Sequence, residues 1–223
     1  MGYQTNGINT GSIPVDFVQR LVKWVQIPYF VETGTAGGES VCSIADMFRK
    51  CFTVELKEGI PNRCDAFSNI SAYIGQSDKV LPEILTQIPE NEFALFWLDA
   101  HWDGDGDNPE TECPLLNELE CIKVHQKAII LIDDARLFLG AVPSPLDPRK
   151  WCGIDQIFET LKRLFPSNTM TVMDDYILSY PYEAKDTVFN EWRERFKIRY
   201  PDAPERLKKS VLETIDAIKK YIQ

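Results

Sequence analysis

Several kinds of segment are absent or scarce in this sequence, and each absence narrows the range of functions. No apolar run is long enough to span a bilayer, and the polar beginning of the chain lacks the apolar core of a signal peptide. Basic residues are a minority, with 24 lysines and arginines against 34 acidic residues and a net charge of −10. Because this balance repels phosphate backbones and no basic patch offsets it, we expect neither nucleic acid nor a membrane as a partner.

Paired cysteines are also missing. The six cysteines form no CxxC pair, and several fall within apolar helical patterns; they are Cys42, Cys51, Cys64, Cys113, Cys121 and Cys152. This pattern favours free, mostly buried thiols in a reducing compartment over a disulfide framework. We therefore expect a cytoplasmic protein.

The remaining composition is that of a globular chain, and its apolar segments alternate with amphipathic ones. The 223 residues are 44% hydrophobic and 26% charged, which suits one large domain with small additions. Short apolar runs predict strands at 29–31, 52–56, 72–74, 93–98, 128–132, 170–173 and 177–180. Helical spacing predicts helices at 14–26, 40–51, 64–70, 80–88, 113–125, 154–164 and from 187 onward.

This alternation indicates an α/β fold with a Rossmann-like, seven-stranded sheet. The sheet is expected to be mostly parallel and covered by helices on both faces, because its strands are continuously apolar. The last two strands are joined by a very short link, which predicts a hairpin and an antiparallel last strand. We divide the chain into a lead-in segment (1–27), a main domain (28–182) and a helical extension (183–223).

A glycine-rich turn follows the first predicted strand, in the run VETGTAGGES. Strand, glycine turn and helix in this order let a backbone come close to a nucleotide-like ligand, although a tight connection without a ligand gives the same pattern. Glu55 lies about twenty residues further on, at the end of the second strand. An acid there can accept hydrogen bonds from both ribose hydroxyls, and the alternative is a solvated carboxylate.

Three aspartates follow two later strands, where the strands end. Asp99 follows the fourth strand, and Asp133 and Asp134 follow the fifth. Neighbouring strands lie roughly 4.8 Å apart, so these carboxylates can converge on one point at the rim of the sheet. Three carboxylates without a cysteine or histidine cage suit Mg²⁺ or another hard divalent cation. The alternative is that one of the pair caps a turn.

His101 is one of only two histidines, and it lies two residues beyond Asp99 in the predicted cleft. Its functional interpretation is a general base that takes a proton from a hydroxyl nucleophile. The alternative is a histidine hydrogen-bonded to nearby backbone, and His125, at a helix end, is expected to be structural. The run 103–107 imitates a calcium loop but lacks its glycine and closing glutamate, so we interpret it as a lid beside the site. Trp102, Trp151 and Arg136 either line a substrate pocket or serve packing alone.

Together these segments resemble the class I S-adenosylmethionine-dependent methyltransferases, and most closely the metal-dependent sugar O-methyltransferases that include macrocin-type enzymes. VETGTAGGES resembles the first motif of that group, FTVELKE the second, and YIGQSDKVLPEIL the segment near the adenine. FWLDAHW and ILIDDAR resemble its two acidic metal-binding segments. The resemblance implies cofactor contacts from Glu32, Thr33, Gly34, Thr35, Gly38, Ser40, Glu55, Gln76, Ser77 and Asp99. It also implies a cation at Asp99, Asp133 and Asp134, with Asp99 and His101 as catalytic residues.

The expected activity is methyl transfer from S-adenosylmethionine to a hydroxyl of a sugar, polyol or related small molecule. Two other hypotheses stay open. A nicotinamide-dependent oxidoreductase would use the glycine turn and Glu55 equally well, although GTAGGE lacks the usual GxGxxG spacing. A non-catalytic binding protein on the same fold would use the C-terminal apolar stripe as its partner surface. The sequence does not decide between a monomer and a homo-oligomer.

Overall fold

The computed structural model of the protein describes residues 12–57, 62–101, 112–144, 146–199 and 209. The chain divides into two units, one of residues 8–185 and one of residues 1–7 and 186–223. Several sequence predictions concern residues outside the described part of the chain: Trp102, the 103–107 lid, the break at 201–204 and the C-terminal stripe. None of the described helices has both the length and the apolar content that a membrane crossing requires.

The larger unit alternates helices and strands as the apolar pattern predicts. Its strands are β1 (Tyr29–Thr33), β2 (Lys50–Glu55), β3 (Ile70–Ile74), β4 (Ala94–Leu98), β5 (Ala128–Ile132), β6 (Asn168–Met173) and β7 (Tyr176–Pro181). Its helices are α1 (Val15–Trp24), α2 (Glu39–Ile44), α3 (Ser77–Leu85), α4 (Leu115–Ile122) and α5 (Ile154–Leu164). The second unit contains α6 (Lys185–Arg199) except for the first residue of that helix; the sequence predicts a helix there, and Arg195 pairs with Glu191 at 2.6 Å.

All seven strands join one sheet in the order β3-β2-β1-β4-β5-β7-β6. The pairs β1–β2, β1–β4, β2–β3 and β4–β5 are parallel, whereas β7 runs antiparallel to both β5 and β6. This confirms the predicted mostly parallel sheet with an antiparallel last strand. The strand order reverses beside β1, because β2 lies on one side of it and β4 on the other, which is where open α/β sheets bind ligands.

Helices cover both faces of the sheet. One face packs against α3, α4 and α5 and includes Val31, Phe96 and Ile130 from successive strands. On the other face, Phe17 of α1 stacks on Tyr176 of β7 with ring centroids 6.2 Å apart. Strands β1, β4 and β5 are buried along their whole length; β4 and β5 are wholly apolar, whereas β1 ends in the buried polar residues Glu32 and Thr33.

Two predicted helices are wrong in extent, and the helix predicted at 80–88 lies three residues earlier, at Ser77–Leu85. The helix predicted at 40–51 ends as α2 at Ile44, a single 3₁₀ turn spans Ala45–Met47, and β2 already begins at Lys50. The helix predicted at 64–70 is a 3₁₀ turn, Asn62–Ala66, and Ile70 belongs to β3. In both places helix-compatible residues lie where the chain must reverse to enter the next parallel strand, and tertiary pairing overrides the local preference.

Candidate functional site

A cavity of about 530 Å³ opens at the carboxyl ends of the parallel strands, a size typical of small-molecule sites. Every strand from β1 to β5 contributes a residue to it from its end or from the segment that follows. The lining residues are Gly34, Ala36, Val54, Glu55, Leu56, Lys57, Gly75, Gln76, Ser77, Asp78, Lys79, Asp99, Ala100, His101, Pro114, Asn117 and Asp134.

The glycine turn has a structural reason that is visible at Gly34. Its φ is +84°, and a Cβ added there would lie 2.3 Å from the carbonyl oxygen of Asp99. The ends of β1 and β4 therefore touch through backbone alone, because no side chain fits between them. Two residues further on, Ala36 has a φ of +41°, an uncommon conformation for a residue with a Cβ.

Glu55 holds this turn and faces the cavity. Its Oε2 accepts a hydrogen bond of 2.9 Å from the backbone N–H of Ala36, and its Oε1 accepts one of 3.2 Å from the N–H of Lys57. Glu55 is therefore anchored by two loops that flank the cavity. Each carboxylate oxygen has a second lone pair, so the group can also accept hydrogen bonds from a diol.

Other residues of the first motif lie beneath the turn and do not line the cavity. The hydroxyl of Thr53 donates to Glu32 Oε2 at 2.6 Å, and the hydroxyls of Thr35 and Thr53 are 2.6 Å apart. Since the Thr53 proton is used on Glu32, Thr35 is the donor in the second bond. Burial raises the pKa of Glu32 to about 8, although the bond from Thr53 opposes the shift.

Three further predicted cofactor residues, Thr33, Gly38 and Ser40, are also buried and do not line the cavity. Gly38 has a φ of +74° and immediately precedes α2, while the Ser40 hydroxyl accepts a hydrogen bond from the N–H of Ile13. The structure thus brings Gly34, Glu55, Gln76, Ser77, Asp99, His101 and Asp134 to one cavity. The remaining predicted cofactor residues are buried and do not line the cavity; they are Glu32, Thr33, Thr35, Gly38 and Ser40.

At the other end of the cavity, two carboxylates face one imidazole. Asp99, His101 and Asp134 each offer a ligand atom, and these three atoms lie within 4.8 Å of one another. The Nε2 of His101 is 3.4 Å from Oδ2 of Asp134 and 4.0 Å from Oδ1 of Asp99. The strand ends of β4 and β5 therefore converge as the sequence predicts, and the imidazole lies between the two carboxylates.

Asp133 occupies the same strand end but has a different environment. It is 3% exposed, and its Oδ1 accepts a hydrogen bond of 2.8 Å from the backbone N–H of Asp134. Its Oδ2 accepts no hydrogen bond from the described residues. Asp134 has a φ of +53°, and its carboxylate lies near His101 and Asp99. The sequence predicts all three aspartates in one ligand set, whereas the group that the structure brings together contains Asp99 and Asp134 without Asp133.

Burial and mutual charge determine the protonation of this cluster. Burial raises the pKa of Asp99 to about 7 and that of Asp133 to about 6. For Asp134 burial acts in the same direction, but the nearby His101 and the ion pair with Arg136 hold its pKa below the ordinary value. The pKa of His101 is raised because the facing carboxylates outweigh its burial. The facing carboxylates therefore stabilise the protonated form of the imidazole.

The donor set fits a divalent cation. Two carboxylates that converge at a cavity wall suit a hard ion, and water or substrate oxygens can complete its coordination. Arg136 competes with a cation for the carboxylate of Asp134, since its guanidinium lies 2.6 Å from Oδ1 of Asp134. The same guanidinium also contacts Asp175. Asp99 and Asp134 would hold the ion, and His101 Nε2 is within reach of the same point.

Sequence reasoning missed several residues of the site. Asn117, on the first turn of α4, lines the cavity, and so does Lys57 just after β2. Glu118, the residue after Asn117, is 1% exposed, and burial raises its pKa. These residues could have been found from their positions in the sequence, because the helix that follows a parallel strand begins at the same edge of the sheet where the strand ends. Phe138, which was also missed, and Trp151, which the sequence does single out, contact the His101 ring edge-on with centroids 5.5 and 5.6 Å away.

No protein-family model matches the sequence, and no curated protein matches it at a significant level. Solved structures do match. A protein from Staphylococcus aureus described as a candidate caffeoyl-CoA O-methyltransferase superposes with a TM-score of 0.50 at 13% identity, over 75% of this chain and 82% of that chain. At this identity the likeness shows a shared fold.

Two other solved structures match at a TM-score of 0.49. One is the O-methyltransferase TomG from Streptomyces achromogenes, involved in tomaymycin synthesis and solved with S-adenosylmethionine. It is 15% identical over 78% of this chain and 82% of that chain. The other is described as a candidate O-methyltransferase from Klebsiella pneumoniae, 21% identical over 78% of this chain and 84% of that chain.

Proposed function

We propose that this protein is an S-adenosylmethionine-dependent O-methyltransferase that acts on a hydroxyl group of a sugar, polyol or related small molecule with the help of a divalent cation. The observation that carries the proposal is the single cavity that joins Glu55 at one end to Asp99, His101 and Asp134 at the other. Methyl transfer requires the methyl group of the cofactor to meet the acceptor hydroxyl, so the cofactor site and the acceptor site must lie in the same cavity.

The cofactor side of the cavity supplies recognition. Glu55 can accept hydrogen bonds from the ribose hydroxyls, and the segment of Gln76 and Ser77 at the start of α3 can contact the adenine. Because Gly34 has no side chain, only backbone lines the cavity at this position, and the cofactor can lie against it. The buried chain Thr35–Thr53–Glu32 supports that backbone from below.

The acceptor side supplies charge and a base. Asp99 and Asp134 would hold the cation, which when bound would lower the pKa of an acceptor hydroxyl. The Nε2 of His101 accepts the hydroxyl proton, since the two carboxylates that face it stabilise the imidazolium. The methyl group passes from the sulfonium sulfur to the hydroxyl oxygen, and the sulfur keeps the electron pair of the broken bond.

Calorimetry tests the cofactor class first. S-adenosylhomocysteine should bind with a dissociation constant in the micromolar range and NAD should not, whereas binding of NAD alone would favour an oxidoreductase and contradict the proposal. Turnover is then measured as release of S-adenosylhomocysteine from a panel of glycosides, polyols and catechols, with and without a chelator. Chelator-sensitive turnover of the glycosides or polyols is expected. Turnover of catechols alone, or equal rates with chelator, would overturn the substrate class or the role of the metal.

A further inference from the structure

The thiols of Cys42 and Cys64 lie against each other below the glycine turn. Their sulfur atoms are 3.7 Å apart although the residues are 22 positions apart in sequence. Cys42 is on α2 and is partly exposed, whereas Cys64 is in the 3₁₀ turn Asn62–Ala66 and is 5% exposed. A disulfide bond needs about 2.05 Å between the sulfurs, so the two atoms would have to approach each other by about 1.7 Å.

The two segments that carry these thiols are already tied together. Arg63 pairs with Glu39 of α2 at 2.8 Å, next to the thiol contact. Gly38, the positive-φ residue before α2, approaches so closely that an added Cβ would lie 3.1 Å from the sulfur of Cys64. The pairing of the sulfurs is therefore held by backbone packing and by an ion pair, and does not depend on the cysteines alone.

We propose that Cys42 and Cys64 form a reversible dithiol–disulfide pair that links α2 to the segment after β2. Cys42 is the thiol that an oxidant reaches first, because it is the more exposed of the two. With a low-molecular-weight disulfide such as glutathione disulfide, the Cys42 thiolate attacks one sulfur and releases one thiol. Cys64 then attacks the Cys42 sulfur and releases the second thiol. Two protein thiols lose two electrons and two protons, and the oxidant takes up both.

Tryptic mapping of the full chain identifies the bond directly. Cleavage after lysine and arginine places Cys42 in peptide 24–49, Cys64 in peptide 64–79 and Cys51 in peptide 51–57. After treatment with glutathione disulfide and alkylation, we expect peptides 24–49 and 64–79 to be joined and to separate on reduction. A mixed disulfide between glutathione and Cys42 that persists without any joined peptide, or a link from Cys42 to another copy of the chain, would show that the contact is packing only.

Thermal unfolding gives a second measurement that requires no ligand, so its result is independent of the proposed transferase activity. Closing the loop from Cys42 to Cys64 should raise the melting temperature of the oxidised protein by on the order of 5 °C over the reduced protein. The Cys42→Ser variant should lose both the joined peptide and this difference. Cys121→Ser, a matched change at another partly buried thiol, should keep both. An oxidation-dependent rise that survives in Cys42→Ser would overturn the assignment.

Discussion

The Nε2 of His101 lies 3.4 Å from Oδ2 of Asp134, and one lone pair on this nitrogen cannot both accept a proton and bind a cation. As the general base, His101 is needed for proton transfer but not for metal affinity. We therefore expect His101→Gln to lower kcat by about 100-fold. Binding of Mn²⁺, measured by calorimetry, should change by no more than about twofold, since a general base makes no bond to the ion. A parallel loss of Mn²⁺ affinity would identify Nε2 as a metal ligand and contradict its role as the base.

Asp134 and Asp133 are adjacent in sequence, and the structure gives them different environments. The Asp134 carboxylate faces the cavity with Asp99 and His101, whereas Asp133 accepts the backbone N–H of its neighbour. Asp134→Asn should weaken binding of Mn²⁺ or Mg²⁺ by at least about tenfold, because it removes a charged ligand. Asp133→Asn should weaken it less. The exposed Glu159→Gln provides the control for net charge, and equal losses in the two aspartate variants would show that both bind the ion.

Much of the fold could be predicted because buried parallel strands leave a strong pattern. The strand at 128–132 and the helix at 154–164 have the predicted bounds, since one is wholly apolar and the other strictly amphipathic. The helix predicted at 40–51 is too long because its last residues pair with β1 and β3 instead. That pairing depends on contacts far apart in sequence, which a local pattern does not contain.

The site was less predictable than the fold. The convergence of Asp99 and Asp134 follows from strand adjacency, which the apolar pattern implies. The division of the first motif into cavity wall and buried support does not follow, because it depends on which way each side chain points. Thr53 illustrates this, since it sits in β2 as an ordinary strand residue and yet connects Thr35 to Glu32.

Glu55 anchors two loops and faces the cavity, so its removal should affect a nucleoside cofactor most. Glu55→Gln keeps the size of the side chain but replaces one acceptor oxygen by a donor, which cannot accept a bond from a ribose hydroxyl. We expect the affinity for S-adenosylhomocysteine to fall by about tenfold, with a change of about 1.4 kcal/mol in binding free energy by calorimetry. Glu83→Gln, at an exposed position of α3, should bind normally. Unchanged affinity in Glu55→Gln would remove Glu55 from the cofactor site.

Gly34 is required by the close approach of two strand ends, whatever the ligand. In Gly34→Ala, the new methyl group would meet the Asp99 carbonyl at 2.3 Å in a backbone conformation with φ of +84°. Both effects are unfavourable, and we expect the free energy of unfolding to fall by on the order of 3 kcal/mol. Gly140→Ala is the matched control, because nothing lies within 4 Å of its added Cβ. Chemical denaturation of the two variants without any ligand measures the difference. Equal stabilities would refute a steric requirement at Gly34.

Glu32 should make the stability of the protein depend on pH. Its carboxyl has an ordinary pKa of 4.5 and a folded-state pKa raised to about 8, because burial disfavours the charged form. Below pH 4.5 both the folded and the unfolded chain bind the proton, and the contribution of Glu32 to stability is fully present. Between pH 4.5 and 8 only the folded chain retains the proton, so unfolding releases it and stability falls as the pH rises.

The size of this effect and its removal by mutation can both be measured. The contribution of Glu32 should decrease by on the order of a few kcal/mol between pH 5 and pH 9. Glu32→Gln, which carries no titrating proton but can still accept the bond from Thr53, should unfold with a flatter pH profile in urea. Its stability relative to the original protein should therefore rise with pH, and Glu159→Gln should follow the original curve. If the Glu32→Gln profile kept the full slope, Glu32 would not be the source of the pH dependence.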